Sequence, residues 1–413
     1  MKKTVLSLLA FSVYFTAVCQ PVGSIKAEPT LADLKAKAVN NQNIAETEFL
    51  KKTDKGFTDI IINPATVVKN QQNTGTCWSF STTSLVESQS LKSKTGNLDL
   101  SEMFTVRNIY LEKANNYFLR QGNARFSEGA LGHDQIQAIS KYGAIPQSSY
   151  SGLTGLSSTY DHSTLIVLLK KYLDSAIDAT SKASPVKGKE VNADWQKGYC
   201  KILDKYLGIP PQEFTYNKRN YTPNSFAKEV LKFNSDDYIY LTSFTHHPYY
   251  KPFILEVPDN FSNGAYYNLP LEELIDAVKG AIKSGYTVSW DADVSNTGFN
   301  AKVGFALNVS TEDGKRMAET TEDVFEEHYD AGKRQRLFEN LTTQDDHLMH
   351  IIGSEKSKDG KTFFIVKNSW GNTVGPFNGF IHVSENYFAI NTISIVLPKA
   401  ALSKSLLDKL MIR

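Results

Sequence analysis

The spacing of apolar residues changes period near residue 285. Before it, Cys77–Leu91, Leu100–Phe118, Asp134–Lys141, Leu165–Ala179, Trp195–Leu207 and Leu271–Ser284 are helical stretches with few breakers. After it, Tyr286–Trp290, Met349–Gly353, Phe363–Lys367, Gly379–Val383 and Ile393–Val396 are short β-type runs. Helices first and strands last predict an α+β chain with two unlike halves. A length of 413 residues holds more than one domain, and 41% hydrophobic with 22% charged residues is a globular balance. Forty-five basic residues against 44 acidic ones give a net charge of +1, so no bulk field draws nucleic acid or an anionic membrane. Three cysteines exclude a disulfide-rich scaffold and a four-thiolate zinc site.

The first segment reads as an address. Met1-Lys2-Lys3 precedes an apolar run from Val5 to Val18, too short for a membrane span and suited to a secretory signal peptide. Residues 1–24 are the expected signal, with cleavage as late as residue 27, and the expected location is secreted or periplasmic. A lipid anchor on Cys19 is the minor alternative, since Val18 stands where Gly or Ala is usual. No later stretch is long and apolar enough to span a membrane. Residues 28–149 read as a helical lobe, its first residues, 28–55, being a candidate pro-segment. Residues 150–270, rich in Pro and Tyr, read as a largely helical insertion. Residues 271–400 read as a β-rich lobe and 401–413 as a tail. Cys200, beside Tyr199 and Ile202, reads as a buried thiol.

Asn70-Gln71-Gln72-Asn73-Thr74-Gly75-Thr76-Cys77-Trp78-Ser79-Phe80 carries the most chemistry. A glycine-containing loop feeds a helix that starts at Cys77, where the positive end of the macrodipole favours thiolate. Gln71 offers a side-chain amide, and Cys77 a backbone N–H, to an oxyanion beside the sulfur. A thiol nucleophile needs a base and a group to orient it. Asp345-Asp346-His347 opens one strand, and Asn368-Ser369-Trp370-Gly371 closes the next, across a turn at Lys358-Asp359-Gly360. Antiparallel pairing of the two brings His347 to Asn368, whose amide oxygen fixes the tautomer, under the cover of Trp370.

These segments resemble the papain-like cysteine peptidases. Leu100-Ser101, Lys141–Pro146, Leu207–Pro211, His247-Pro248-Tyr249, Ala281–Gly285 and Asp291-Ala292-Asp293-Val294 are similar to the bleomycin hydrolase/aminopeptidase C branch, over about residues 53 to 400. The resemblance implies a two-lobed papain-like fold with a helical insertion, peptide substrates, no cofactor and a homo-hexamer. It implies Cys77 as nucleophile, His347 as general acid/base, Asn368 as orienter and Gln71 as oxyanion donor. In that branch the C-terminal tail lies in the cleft and its carboxylate receives the substrate's amine. Here the tail lacks the Pro-rich, small-residue ending and carries Lys409 and Arg413. Endopeptidase or dipeptide-releasing activity therefore stands as the alternative to aminopeptidase activity. The Gly-Gly pair that meets substrate backbone reads here as Gly129-Ala130.

Other features have plainer readings. His347 and His350 project from opposite faces of a strand, so a metal shared by them with Asp345 and Asp346 is not expected. His246-His247 packs in a loop before Pro248. A non-enzymatic peptide-binding scaffold on the same fold is the rival, marked by a missing catalytic residue, and none is missing.

Overall fold

The structure is a computed structural model describing residues 57–155, 157–182, 194–319 and 325–412. The expected signal, Cys19 and residues 28–55 lie outside the described residues. Three helices build the first lobe: α1 (Cys77–Lys92), α2 (Glu102–Leu119) and α3 (Gly132–Tyr142). Ser101 caps α2 by accepting the Phe104 N–H, with Glu102 in its first turn. α1 is rich in Ser and Thr, which are indifferent helix formers, yet it is almost wholly buried. Its hydroxyls reach across the lobe boundary: Ser81 donates to the Met349 carbonyl at 2.5 Å, and Ser84 meets His350 Nδ1 at 2.8 Å. Tertiary bonds thus hold a helix that propensity alone would not.

Segment 150–270 begins with α4 (Ser163–Lys182), α5 (Trp195–Leu207) and α6 (Pro223–Glu229). Leu165, Leu169 and Leu173 of α4 and Tyr199, Leu203 and Leu207 of α5 join the core of the first lobe. Cys200 is buried on α5 but is engaged in a disulfide, which corrects the expected thiol. An apolar helix face suits either sulfur species, so it did not discriminate. Cys77 is a free cysteine.

The strands are β1 (Phe57–Ile62), β2 (Phe214–Tyr216), β3 (Arg219–Tyr221), β4 (Tyr238–Thr242), β5 (Pro252–Ile254), β6 (Ala265–Asn268), β7 (Val288–Ala292), β8 (Phe299–Asn300), β9 (Phe305–Ala306), β10 (His347–Ser357), β11 (Thr362–Lys367), β12 (Phe380–Ser384) and β13 (Thr392–Pro398). The main sheet runs β5-β6-β4-β13-β7-β10-β11-β12-β9-β8, with β1 paired to β10. β4 to β6 come from segment 150–270, so its second half extends the sheet. Gly360, at φ +82°, makes the tight β10–β11 turn.

Alternation gives this sheet two faces. On one, Val288, Trp290, Met349 and Ile351 pack with Leu274, Ile275 and Val278 of α7 (Leu271–Lys283). On the other, Ser289, Asp291, Leu348 and His350 turn toward α1. Three more helices follow: α8 (Thr311–Glu319), α9 (Ala331–Glu339) and α10 (Glu385–Asn391). The last, α11 (Lys404–Lys409), packs with Leu402, Leu406 and Leu410 into the α7 cluster. Lys409 Nζ meets Glu273 Oε1 at 2.9 Å and lies 5.3 Å from the Tyr250 ring centre. The segment after β13 thus docks on the α7 face, across the sheet from α1.

Candidate active site

The loop before α1 is tied down on both sides. Gln71 N–H donates to the Ser369 carbonyl at 2.8 Å, and Gly75 N–H to Glu128 Oε2 at 2.6 Å. Thr76, the N-cap, makes no side-chain cap; its hydroxyl bonds that of Thr74 at 2.6 Å. The helix therefore opens with N–H groups at Cys77 and Trp78 that no N-cap side chain takes up. The Trp78 N–H is directed at the Cys77 sulfur, and so is the Leu348 N–H from β10.

β10 and β11 pair antiparallel, with His350 opposite Lys367. That register sets His347 Nε2 2.7 Å from Asn368 Oδ1. The same oxygen accepts the Ser369 N–H at 2.7 Å, so it faces the imidazole as an acceptor. His347 accordingly carries its proton on Nε2 and leaves Nδ1 as the basic nitrogen. The Trp370 ring stacks on His347 with centroids 4.7 Å apart. Gln71 Oε1 accepts from Ser369 Oγ at 2.6 Å, and its Nε2 donates to the Thr74 carbonyl at 2.7 Å, leaving one amide hydrogen unused. The four residues singled out in the sequence, Gln71, Cys77, His347 and Asn368, converge where α1 meets β10.

The electrostatics differ from the expected thiolate. Burial pushes the Cys77 thiol up to about 12; the Asp345 and Asp291 carboxylates add to it, against the N–H groups of Leu348 and Trp78. Burial also lowers His347, which its bond to Asn368 partly offsets. Both shifts favour the uncharged forms, thiol at Cys77 and imidazole at His347. A helix N-terminus supplies at most ~2 kcal/mol, less than desolvation and two nearby carboxylates withhold.

Those carboxylates were not in the sequence-derived site. Asp291 sits on β7 opposite Leu348 and beside Ser394, whose hydroxyl donates to its Oδ2 at 3.1 Å. Asp345 precedes β10. Burial holds both carboxyls above the ordinary range, with Asp345 raising Asp291 further and Asp259 raising Asp345, so the pair retains a proton. Asp259, from the loop between β5 and β6, lies against Gly129, where a methyl group would overlap its carboxylate. Arg125 Nε and Ser127 Oγ each approach Asp259 Oδ1 at 3.1 Å. Lys113 Nζ donates to the Gly129 carbonyl, and burial lowers it to about 8. The one signal in the sequence was a charged residue inside the apolar run Val288–Ala292.

Among the described residues, His246, His247 and Glu256 are close enough to share a metal. Their hydrogen bonds argue against it. Gln335 Oε1 accepts the Thr245 N–H at 2.7 Å, so its Nε2 is the atom that donates to His246 Nδ1 at 2.8 Å. His246 then carries its proton on Nε2, toward Glu256 at 3.2 Å, with no lone pair there for a cation.

Residues 127–412 match the model of the Peptidase C1-like family, and residues 59–117 that of the papain family cysteine proteases. Aminopeptidase G of Lactobacillus delbrueckii subsp. lactis is 24% identical over 402 residues, covering 89% of this chain and 90% of its own length. Aminopeptidase C of Listeria innocua is 26% identical over 420 residues, covering 88% and 90%. The crystal structure of PepW from Lactobacillus rhamnosis shares the fold, with a TM-score of 0.66 at 22% identity over 92% of this chain and 90% of that one. The chain belongs to the Peptidase C1-like family, as a papain-like cysteine peptidase of the bleomycin hydrolase/aminopeptidase C branch.

Proposed function

We propose that the protein is an exported aminopeptidase that hydrolyses peptide bonds through Cys77, His347, Asn368 and Gln71. The observation that carries the site is the 2.7 Å bond from His347 Nε2 to Asn368, which leaves Nδ1 as the base beside the free N-terminal turn of α1. His347 Nδ1 takes the thiol proton as the sulfur attacks the carbonyl carbon. The Cys77 N–H and the unused amide hydrogen of Gln71 meet the oxyanion. Imidazolium then gives its proton to the leaving amine, forming the thioester. Neutral His347 next takes a proton from water, which attacks the thioester and frees Cys77. Aminopeptidase relatives support the exo mode, and the apolar start of the chain supports export.

The test uses two fluorogenic peptides of one sequence, one with a free N-terminus and one acetylated. Free-amine cleavage alone supports an aminopeptidase, and equal cleavage of both indicates an endopeptidase. Cys77→Ala should lose at least about 10⁴-fold in kcat. Asn368→Ala should lose about 10- to 100-fold and change the pH profile, because imidazole orientation is lost while the nucleophile stays. Without substrate, alkylation of Cys77 by iodoacetamide should climb from pH 7 to pH 10 with no acid plateau, as a raised thiol requires.

A further inference from the structure

Among the described residues, no lysine or arginine forms an ion pair with Asp291 or Asp345, and Arg125 acts on Asp345 only at longer range. Asp291 is 1% exposed. Asp291 and Asp345 hydrogen-bond each other through the proton they retain, and Asp291 Oδ1 and Asp345 Oδ2, both closed off from solvent, take no donor from any other described residue. Buried carboxylates are ordinarily bonded or paired. The charged groups around the pair are engaged elsewhere. Arg125 is on Asp259, and Lys113 is on Gly129 and Ser127. Asp134 accepts from Ser262 and from the Leu131 N–H, with His133 beside it. Asp346 accepts from Ser295 and the Val294 N–H.

The pair also flanks the nucleophile, since both carboxylates act on the Cys77 thiol. Asp291 stands opposite Leu348, whose N–H is directed at the Cys77 sulfur. An amine one or two residues back from the attacked carbonyl lies about 3–7 Å from it, so it ends among the groups that flank the nucleophile. The β5–β6 loop adjoins the pair through Asp259, whose carboxylate acts on both carboxyls. Asp259 covers Gly129, and Lys113 occupies the Gly129 carbonyl that would pair with a longer substrate backbone. The loop carrying Asp259 is stapled by Asn260, which donates to the Leu255 and Gly264 carbonyls at 2.8 and 2.9 Å. Ser262 docks it on the start of α3, at 2.6 Å from Asp134 Oδ1.

We propose that Asp291 and Asp345 receive the substrate's N-terminal ammonium, with the β5–β6 loop closing the cleft behind it. This rests on the aminopeptidase reading and names its specificity residues. The ammonium takes the place of the proton shared by the pair, and that proton leaves to solvent. The exchange is one cation for another, so the net charge beside Cys77 is unchanged when the correct substrate arrives. The recognition element is thus internal to the chain's sheet, while the segment after β13 is docked on α7.

The experiment compares wild type with Asp345→Asn and with the Asp291→Asn/Asp345→Asn double variant. Three substrates share one leaving group: a free-amine leucyl anilide, its N-acetyl form, and an N-acetyl-lysyl-leucyl anilide that presents a side-chain cation instead. Wild type should cut the first only. The double variant should lose about 100-fold of the free-amine over acetyl preference, with Asp345→Asn between the two. That preference is a ratio within one protein, so partial misfolding does not move it. With both carboxylates gone, iodoacetamide should label Cys77 faster at pH 7 by roughly tenfold, while aminopeptidase rate falls. General damage would not raise one and lower the other. An unchanged preference in the double variant overturns the proposal. Efficient cleavage of the lysyl substrate assigns the carboxylates to a side-chain cation and overturns it too. Failure of wild type on all three overturns the aminopeptidase reading itself.

Discussion

Two buried acidic clusters adjoin α1, and the fold treats them in opposite ways. One is supplied with a cation by the chain. Lys69 Nζ meets Glu102 Oε1 at 2.7 Å, Asp99 Oδ1 at 2.7 Å and Glu87 Oε1 at 3.3 Å. The second oxygen of Glu87 accepts from Thr66 at 2.6 Å, and its Oε1 also takes the Leu100 N–H at 2.8 Å. Lys367 adds bonds to Thr66 and Ser84 at 3.0 and 2.7 Å. Every carboxylate there has a partner from the fold, so the cluster holds the lobes together. Among the described residues, the Asp291–Asp345 pair forms no ion pair with a lysine or arginine. Buried charge with its counterion built in holds a fold together; without one, it is held down by a retained proton.

The largest expected effect removes the counterion from the first cluster. Lys69→Met leaves Glu87 and Glu102 buried and unpaired, which should cost about 3–5 kcal/mol in urea unfolding. If Lys69→Met unfolds no more easily than wild type, the two clusters are not different in kind. In the second cluster the sign should reverse. Asp291→Asn removes a repulsion and should be neutral or stabilising by about 1 kcal/mol.

A smaller effect lies in the pH dependence. Asp291 and Asp345 have folded pKa values above their unfolded ones, so the folded state holds the extra proton. Their contribution is fully present below about pH 4 and is lost as pH rises through the folded values. Buried His162, lowered to about 4, acts oppositely: its contribution is present above about pH 6.5 and is lost as pH falls. The difference in thermal midpoint between Asp291→Asn and wild type isolates the first effect. It should widen between pH 5 and pH 7.5, and a constant difference would remove the pair from consideration. The smallest change expected is at the His246–Glu256 contact, which is partly exposed. His247→Asn should move stability by no more than about 0.5 kcal/mol, and added zinc should leave the midpoint unchanged.

The comparison also explains what could be read from the sequence. α1, β10 and β11 were legible because one short segment each carries a long composite pattern: Gln71 to Trp78, Asp346-His347, and Asn368 to Gly371. α5 was legible to the residue, since its period is uninterrupted and Gly208 ends it at φ +73°. β4 to β6 were not, because their Pro and Tyr residues read as loop and the pairing that makes them strands lies with β13, far along the chain. The acidic pocket was illegible for the same reason. Asp259, Asp291 and Asp345 belong to three segments that only the sheet brings together. Asp291 was quoted as part of a branch motif and Asp345 as a metal candidate. Each had a reading of its own, and neither reading contained the other.

The Asn260-stapled loop has a final consequence. A cap made from a chain end is held at one side, so trimming a few residues or displacing them can turn an exopeptidase into an enzyme that accepts longer chains. The loop from β5 to β6 is held at both sides by strands of the main sheet. Its closure entropy is already settled when the sheet forms. No proteolytic nick at a terminus reaches it, and opening it means unzipping β5 from β6. On the proposed closure, substrate length is set when the sheet forms, out of reach of a clip at a terminus.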